Sequence, residues 1–477
     1  MKPALTLASL LTLALLAVAA VRENYWTEWR VHQRRFERIL LAQARDDKER
    51  VLARSFSAEI RQVVVPDLGA VDRCVSCHLG LDDPRMADAP QPFRSHPTRL
   101  LESHDLDKFG CTACHGGQGR ATTKQEAHAD KGEVFWERPL LPAALTQSSC
   151  GVCHDPSYLK DRGAPGLARG RELFLEKGCL GCHKLAGQGG PLGPRLDGEG
   201  DKVKHAFSFA HLAGERTVAN WHREHLKDPR TVVPASKMPK LGLDDRDLDA
   251  LTSFLLSLRS VNLTERMTGR DKYQERHRVW HPAPLAGRQL YQQFCSNCHG
   301  EGVETLVHDT LRVAVPSIRN PDFLEVASED LLFRSIRDGR PETEMPAWGK
   351  QGGGLTDDEI RNVASYLLEG RATAREIAFV PATTADPSNG KRLYEESCSA
   401  CHGVSRGAGE SPWLGGPGFQ ETYSDALIGH SIKHGRAGTL MNPYGKEAGG
   451  DLSDQEVSDL VSFIRTLRQR GPAPTDP

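Results

Sequence analysis

Hydrophobic and polar positions divide the chain into unlike stretches. Ala4 to Val21 is an uncharged apolar run of 18 residues behind Lys2, at the lower edge for a membrane span and longer than an ordinary signal-peptide core. Tyr25, Trp26 and Trp29 follow where aromatic side chains anchor at a bilayer interface, and Ala17, Val18 and Ala19 offer a small-residue cleavage site. Residues 1–23 are therefore read as a membrane helix, with a removed signal segment as the alternative. Arg22, Arg30, Arg34 and Arg35 beyond the run oppose the usual bias of basic residues toward the cytoplasm. Asn24 to Gln62 lacks Gly and Pro and is rich in Arg, Glu, Leu and Ala. That predicts one charged helix over about 24–65, ended by Pro66 and Gly69.

Three later stretches, 165–260, 283–371 and 385–470, share one pattern. Each opens with Gly, a basic residue, Leu and an aromatic: Gly170, Arg171, Leu173 and Phe174; then Gly287, Arg288, Leu290 and Tyr291; then Gly390, Lys391, Leu393 and Tyr394. Each closes with an amphipathic helix carrying Ser, an aromatic and an aliphatic residue: Ser253, Phe254 and Leu255; Ser365, Tyr366 and Leu367; Ser462, Phe463 and Ile464. Thr356 with Glu359 and Ser453 with Glu456 form capping boxes for two of these helices. One supersecondary unit is used three times, and its small residue lets the opening helix cross closely over the closing one. The chain as a whole reads as mainly α and loop-rich. Of 477 residues 38% are hydrophobic, 6% are aromatic, and Gly and Pro number 45 and 29, which excludes a coiled coil, a collagen-like fibre and a multispanning membrane protein. Something other than side chains must fill part of the interior. A net charge of −2 gives no sign of nucleic-acid binding.

The twelve cysteines change the picture. All fall into pairs with two residues between: Cys74/Cys77, Cys111/Cys114, Cys150/Cys153, Cys179/Cys182, Cys295/Cys298 and Cys398/Cys401. A histidine follows every pair at once: His78, His115, His154, His183, His299 and His402. With 19 histidines in the chain, six such matches by accident have odds of about one in a billion, so the pattern reads as CxxCH attachment of six c-type haems. Two thiols add to the vinyl groups of one haem, and the adjoining imidazole reaches its iron. Disulfides would not require the histidines, a tetrahedral zinc site has no use for one beside each second cysteine, and a thioredoxin-like pair needs a βαβ setting absent here. Such haems are attached outside the bacterial cytoplasm, so the chain is expected on the periplasmic side of the inner membrane. The first four motifs are 37, 39 and 29 residues apart, the last two follow after 116 and 103. Short gaps predict a crowded tri-haem module over 66–160; long gaps predict one haem per independent domain.

Each iron needs a second ligand. Met238 in SKMPKL, Met345 in TEMPAWG and Met441 in TLMNPYG occupy one slot in the three repeats, where a thioether raises the reduction potential. His430 and His434 are alternatives near Met441, whose proline is displaced by one residue. In the first module Met86 follows closely on His78, and His96, His104 and His128 supply three imidazoles for three irons. That makes six distal ligands for six haems, and a filled iron passes electrons but does not readily bind substrate. His205, His211, His222, His225, His277, His281 and His308 are read as surface residues or supports behind a ligand, with His222 and His225 too few for a metal site. No acid/base dyad, phosphate loop or nucleophile motif stands out.

The repeats resemble class I c-type cytochrome domains, in GCLGCHKLAGQGGPLGPRL and WHREHLKDPRTVVPASKMPKL among other segments. The stretch from VPDLGAVDRCVSCHLG through KFGCTACHGGQGRATT to QSSCGVCHDP is similar to the tri-haem part of membrane-anchored cytochromes that accompany bacterial cytochrome b/Rieske-type quinol-oxidising complexes. The resemblance implies six covalently attached haem c groups. It also implies a cytochrome b/Rieske partner as donor and a soluble cytochrome c or terminal oxidase as acceptor. Bis-His haems lie lower in potential than His/Met haems, so electrons would run from the tri-haem module to the C-terminal domains. A multihaem reductase or peroxidase with one five-coordinate haem, and an interaction module that stacks haems between copies, are the competing expectations.

Overall fold

A computed structural model of the chain describes residues 2–96, 100–129, 136–260, 263–264, 267–269, 271–272, 285–311, 313–340, 343–369, 371, 377, 379–404, 411, 413–436 and 439–468. His277 and His281, expected at the surface, lie outside the described residues. Contacts gather the chain into two compact units. One comprises Met1–Arg171, Gly198–Lys227 and Leu243–His277; the other comprises Glu172–Asp197, Asp228–Gly242 and Arg278–Pro477. Among the described residues sheet is confined to two two-stranded pairs, so helices and loops carry the fold.

In the first unit, α1 (Lys2–Tyr25) turns its leucines outward. With a mean hydropathy of 2.4 and none of that stretch buried, it is long and apolar enough to cross a membrane. Tyr25 and Trp26 stay exposed at its end, but Trp29 is buried with Arg30 stacked on it and is no interfacial anchor. The charged stretch beyond is two helices rather than one, α2 (Glu28–Gln43) and α3 (Asp47–Arg54). The break falls where Asp46 takes extended backbone and its carboxylate accepts the Glu49 N–H, a good N-cap that a helix interior would waste. α2 buries Phe36 against Met86 and Phe93, so Met86 is core filling. Two antiparallel strands follow, β1 (Val63–Val65) and β2 (Ala70–Asp72), turned at Gly69 with φ +62°. α4 (Pro165–Glu176) has its first amides, Gly166 and Leu167, bonded to Gln147 Oε1. α5 (Val218–Lys227) and α6 (Asp245–Ser257) complete this unit, α6 capped by Asp244.

The second unit carries α7 (Gly287–Phe294), the pair β3 (Leu306–His308) and β4 (Val313–Val315), α8 (Glu329–Arg337), α9 (Asp357–Leu368), α10 (Pro387–Ser397), α11 (Asp425–His434) and α12 (Asp454–Thr466). Both predicted capping boxes form, on α9 and α12. The glycine that opens each repeat is explained by backbone contact. A Cβ at Gly170, Gly287 or Gly390 would lie 2.0 Å from the carbonyl oxygen of Ala250, Asn362 or Asp459. Opening and closing helices thus touch main chain to main chain, a distance that only glycine permits. Tyr291 packs on Tyr366 and Tyr394 on Phe463 beside the crossings.

His222 on α5 is not a surface residue. It is 3% exposed, and its Nε2 lies 3.7 Å from Glu199 Oε1, without a hydrogen bond. The Glu199 carboxylate is engaged instead by Lys202 at 2.6 Å. Burial, reinforced by His225 and Lys202, lowers His222 from 6.5 to about 3. The unfolded chain therefore takes up a proton near pH 6.5 that the folded chain refuses until about pH 3. Stability is undiminished above pH 6.5 and falls by about 1.4 kcal/mol per pH unit below it. His222→Gln should flatten that slope in pH-dependent melting curves. Gly287→Ala and Gly390→Ala should each lower the stability of their own repeat by about 1–3 kcal/mol or more, because the new methyl meets unyielding backbone; calorimetry of the holoprotein reads this as earlier melting.

Candidate haem sites

In the first unit the fold brings each proximal histidine of the N-terminal motifs to one of the three spare histidines. Ring centroids are 6.5 Å apart for His78 and His128, 6.3 Å for His115 and His96, and 6.1 Å for His154 and His104. Two metal–imidazole bonds of about 2.0–2.1 Å and two ring radii of about 1.1 Å together span about 6.3 Å. The spacings therefore fit pairs of imidazoles that share one iron, a pairing that sequence alone left open.

Local bonds hold these rings. Gln33 on α2, fully buried, donates to the carbonyls of Glu59 and Ser76 at 2.7 and 2.9 Å, fixing the first motif. Asp72, fully buried at the end of β2, accepts the N–H groups of Cys111 and Thr112 at 2.6 and 2.9 Å and the Thr112 hydroxyl at 2.7 Å. It anchors the second motif with an anion at the start of a helical turn. Neither residue was found from the sequence; Asp72, two residues ahead of Cys74, offered only its charge as a signal. His104 Nδ1 contacts the Leu100 carbonyl at 3.2 Å and His154 Nδ1 the Asp271 carboxylate at 2.8 Å. At His154 the carboxylate accepts, which places the proton on Nδ1 and leaves Nε2 to face a metal; at His104 the Ser103 hydroxyl also lies 3.0 Å from Nδ1. Burial, then His128 and His115, lowers His78 to about 4, and burial with His96 lowers His115. Both are neutral imidazoles, the form that ligates.

In the second unit, His183 Nδ1 donates to the Pro194 carbonyl at 2.8 Å and His299 Nδ1 to that of Pro316 at 3.4 Å. Gly193 is required beside His183, since a Cβ there would lie 2.6 Å from the ring. Met345 and Met441 occupy the same hydrogen-bonded loop. The Met345 N–H donates to Thr343 Oγ1 and its carbonyl accepts from Arg340; Met441 does the same with Thr439 and Arg436. Met238 repeats the first bond with Ser236 Oγ at 3.2 Å. The displaced proline after Met441 leaves the loop unchanged. His434 Nε2 is held by Glu447 at 3.0 Å. A hydroxyl two residues before each methionine was visible in SKM, TEM and TLM and passed unnoticed. Arg340 and Arg436 also converge on the Tyr423 hydroxyl; burial alone would raise Tyr423, but the two guanidinium groups hold it below its ordinary value.

The first thiols of four motifs suit thioethers. Burial pushes Cys150 and Cys398 up to about 11 and Cys179 and Cys295 up to about 12, so they are neutral sulfurs in apolar settings. Cys401 lies in the one-turn helix Ser399–His402, where its N–H donates to the Cys398 carbonyl at 3.2 Å and its carbonyl accepts the Ser411 N–H at 2.9 Å. Those bonds fix the backbone from which its thiol would reach a haem. Among the described residues there is no group of three His, Cys, Asp or Glu that could hold a bare metal ion. Neighbouring motifs approach one another: the Cys74 side chain lies beside that of Cys111, and Cys182 beside Cys298. Across the 116-residue gap Asn297 donates to the carbonyls of Lys177 and Gly178 at 2.7 and 2.6 Å and brings the fourth and fifth motifs together.

Comparison with known proteins gives the same reading. The family described as "Cytochrome C oxidase, cbb3-type, subunit III" matches residues 282–367 and 385–464, and "Cytochrome c" matches 167–259. The "Cbb3-type cytochrome c oxidase subunit CcoP" of Azospirillum sp. (strain B510) is 26% identical over 39% of this chain and 62% of its own length. That of Rhodobacter capsulatus is 24% identical over 38% and 61%. "Cytochrome c4" of Thiocapsa roseopersicina is 27% identical over 39% of this chain and 93% of its own. The chain thus spans about three fifths of the length of the two oxidase subunits. Segments 167–259, 282–367 and 385–464 are cytochrome c domains, and the chain is a multihaem c-type cytochrome headed by a helix suited to anchor it in a membrane.

Proposed function

We propose that the chain is a six-haem electron relay on the periplasmic side of the bacterial inner membrane, in which every iron is filled on both faces by its own residues. Haem supplies reversible one-electron chemistry when bound. The first three irons are held by His78 with His128, His115 with His96, and His154 with His104. The last three are held by His183 with Met238, His299 with Met345, and His402 with Met441. The observation that carries this reading is the set of three histidine pairs at 6.1–6.5 Å. A chain that spends a ligand on each second face is built to conduct rather than to bind substrate.

Contacts between motifs support the relay. Cys74 meets Cys111, and Cys182 meets Cys298, so the groups they carry would lie edge to edge within each unit. The His/His set has the lower potentials and the His/Met set the higher, which directs electrons from the N-terminal module outward. The partner is a membrane respiratory complex. A cytochrome b/Rieske assembly as donor follows from the N-terminal resemblance; similarity to oxidase subunits supports an oxidase as acceptor.

Mass spectrometry of the mature protein should find six haem adducts, and its reduced spectrum should not change rapidly under CO. One native haem that binds CO at once would favour the enzyme reading. Replacement of His96, His104 or His128 by Ala should each open one CO-binding iron while the other five stay closed. Thr343→Val and Thr439→Val each remove the bond the hydroxyl accepts from the methionine N–H and the one it donates to the Arg340 or Arg436 carbonyl; with about 1 kcal/mol for a single bond, amide exchange at Met345 or Met441 should quicken at least about fivefold. Co-purification from detergent-solubilised membranes identifies the partner.

A further inference from the structure

We propose that Asp271 sets the electron affinity of the third haem by hydrogen bonding to its proximal ligand, His154; the inference rests on the ligand assignment above. His154 Nδ1 lies 2.8 Å from Asp271 Oδ1, and the other oxygen of that carboxylate accepts the Asp155 N–H at 2.6 Å. The Asp271 side chain is 11% exposed, so water weakens the bond little. Its neighbours clasp the same motif. Lys272 Nζ donates to the carbonyls of Gly151 and Val152 at 2.6 and 2.8 Å, and the Gly269 N–H donates to that of Cys153 at 2.9 Å. A Cβ at Gly269 would lie 2.5 Å from His154 Nδ1, so the segment lies against the ring as closely as a backbone can.

The partner's charge distinguishes this site. His183, His299 and His78 bond to the carbonyls of Pro194, Pro316 and Pro92, all neutral. Only the His154 ring, among these four, meets a carboxylate. A carboxylate draws the Nδ1 proton toward itself and leaves the imidazole richer in electrons. Stronger donation through Nε2 stabilises ferric iron more than ferrous, and the potential falls. One electron enters or leaves while no bond is made or broken, and the proton stays between His154 and Asp271. The residue responsible follows the first cytochrome c domain in the chain, 117 positions beyond the histidine it tunes. The third haem is thereby made a stronger reductant than a haem whose histidine meets only a carbonyl.

The test is Asp271→Asn in the full-length holoprotein, titrated potentiometrically with optical and EPR detection. The lowest-potential component should move up, with the ferrous-to-ferric ratio of that haem, poised at its wild-type midpoint, rising about tenfold, equivalent to about 59 mV for one electron. Simple loosening would admit water, favour the charged ferric form and move the component down. Lys272→Met, which breaks the clasp and spares the hydrogen bond, should not raise it. A component that stays or falls in Asp271→Asn, with haem content and the bis-imidazole EPR signal intact, overturns the inference. Peptide mass spectrometry that finds no haem on Cys150 and Cys153, or a wild-type protein without a bis-imidazole signal, overturns the underlying ligand assignment instead.

Discussion

Iron in a porphyrin takes protein ligands only along one axis, so the polypeptide must hold two donors at a fixed span on opposite faces. That constraint fits the first unit, whose three histidine pairs stand between 6.1 and 6.5 Å apart. Buried polar groups do the holding: Gln33 at the first motif, Asp72 at the second, Asp271 at the third. Gln33 and Asp72 each satisfy several backbone groups at once, and Asp271 takes one backbone N–H beside the imidazole, as low-dielectric surroundings demand of anything polar left inside.

The cytochrome c domains meet the same constraint by different means. Opening and closing helices cross at glycine, backbone against backbone, which fixes the frame around the motif. The candidate methionine then sits in a loop in which its N–H donates and its carbonyl accepts a hydrogen bond. This explains why the loop tolerates the altered sequence after Met441. Proline position is secondary when a hydroxyl two residues earlier already sets the turn.

Contact between motifs is a second level of organisation. The pairs Cys74 with Cys111 and Cys182 with Cys298 span sequence gaps of very different length, yet both end in thiol contact. Electron transfer needs short gaps, and the fold supplies them irrespective of chain distance. Arg340 and Arg436 add a further link in the second unit, as equivalent residues of two domains that meet at one tyrosine hydroxyl.

What could be read directly from the chain was periodic or local. The motifs from Cys74 to His402 follow from covalent chemistry that tolerates no other spacing. The apolar run, the repeated glycines and both capping boxes follow from helix geometry. The ligand candidates His96, His104 and His128 could be named by counting irons, but which ring faces which depends on turns dozens of residues long. Trp29 was misjudged, since burial is decided by what packs over a residue and not by its neighbours in sequence. The charged stretch broke at Asp46 because a capping side chain competes with helix continuation, a contest settled by the tertiary docking of α2. Asp271 marks the far limit of legibility. Sequence alone determined the six CxxCH motifs and the residue types available to hold a group at each, because that pattern is local. Tertiary structure alone decided the partners of each imidazole, because a hydrogen bond across 117 positions exists only once the chain has folded.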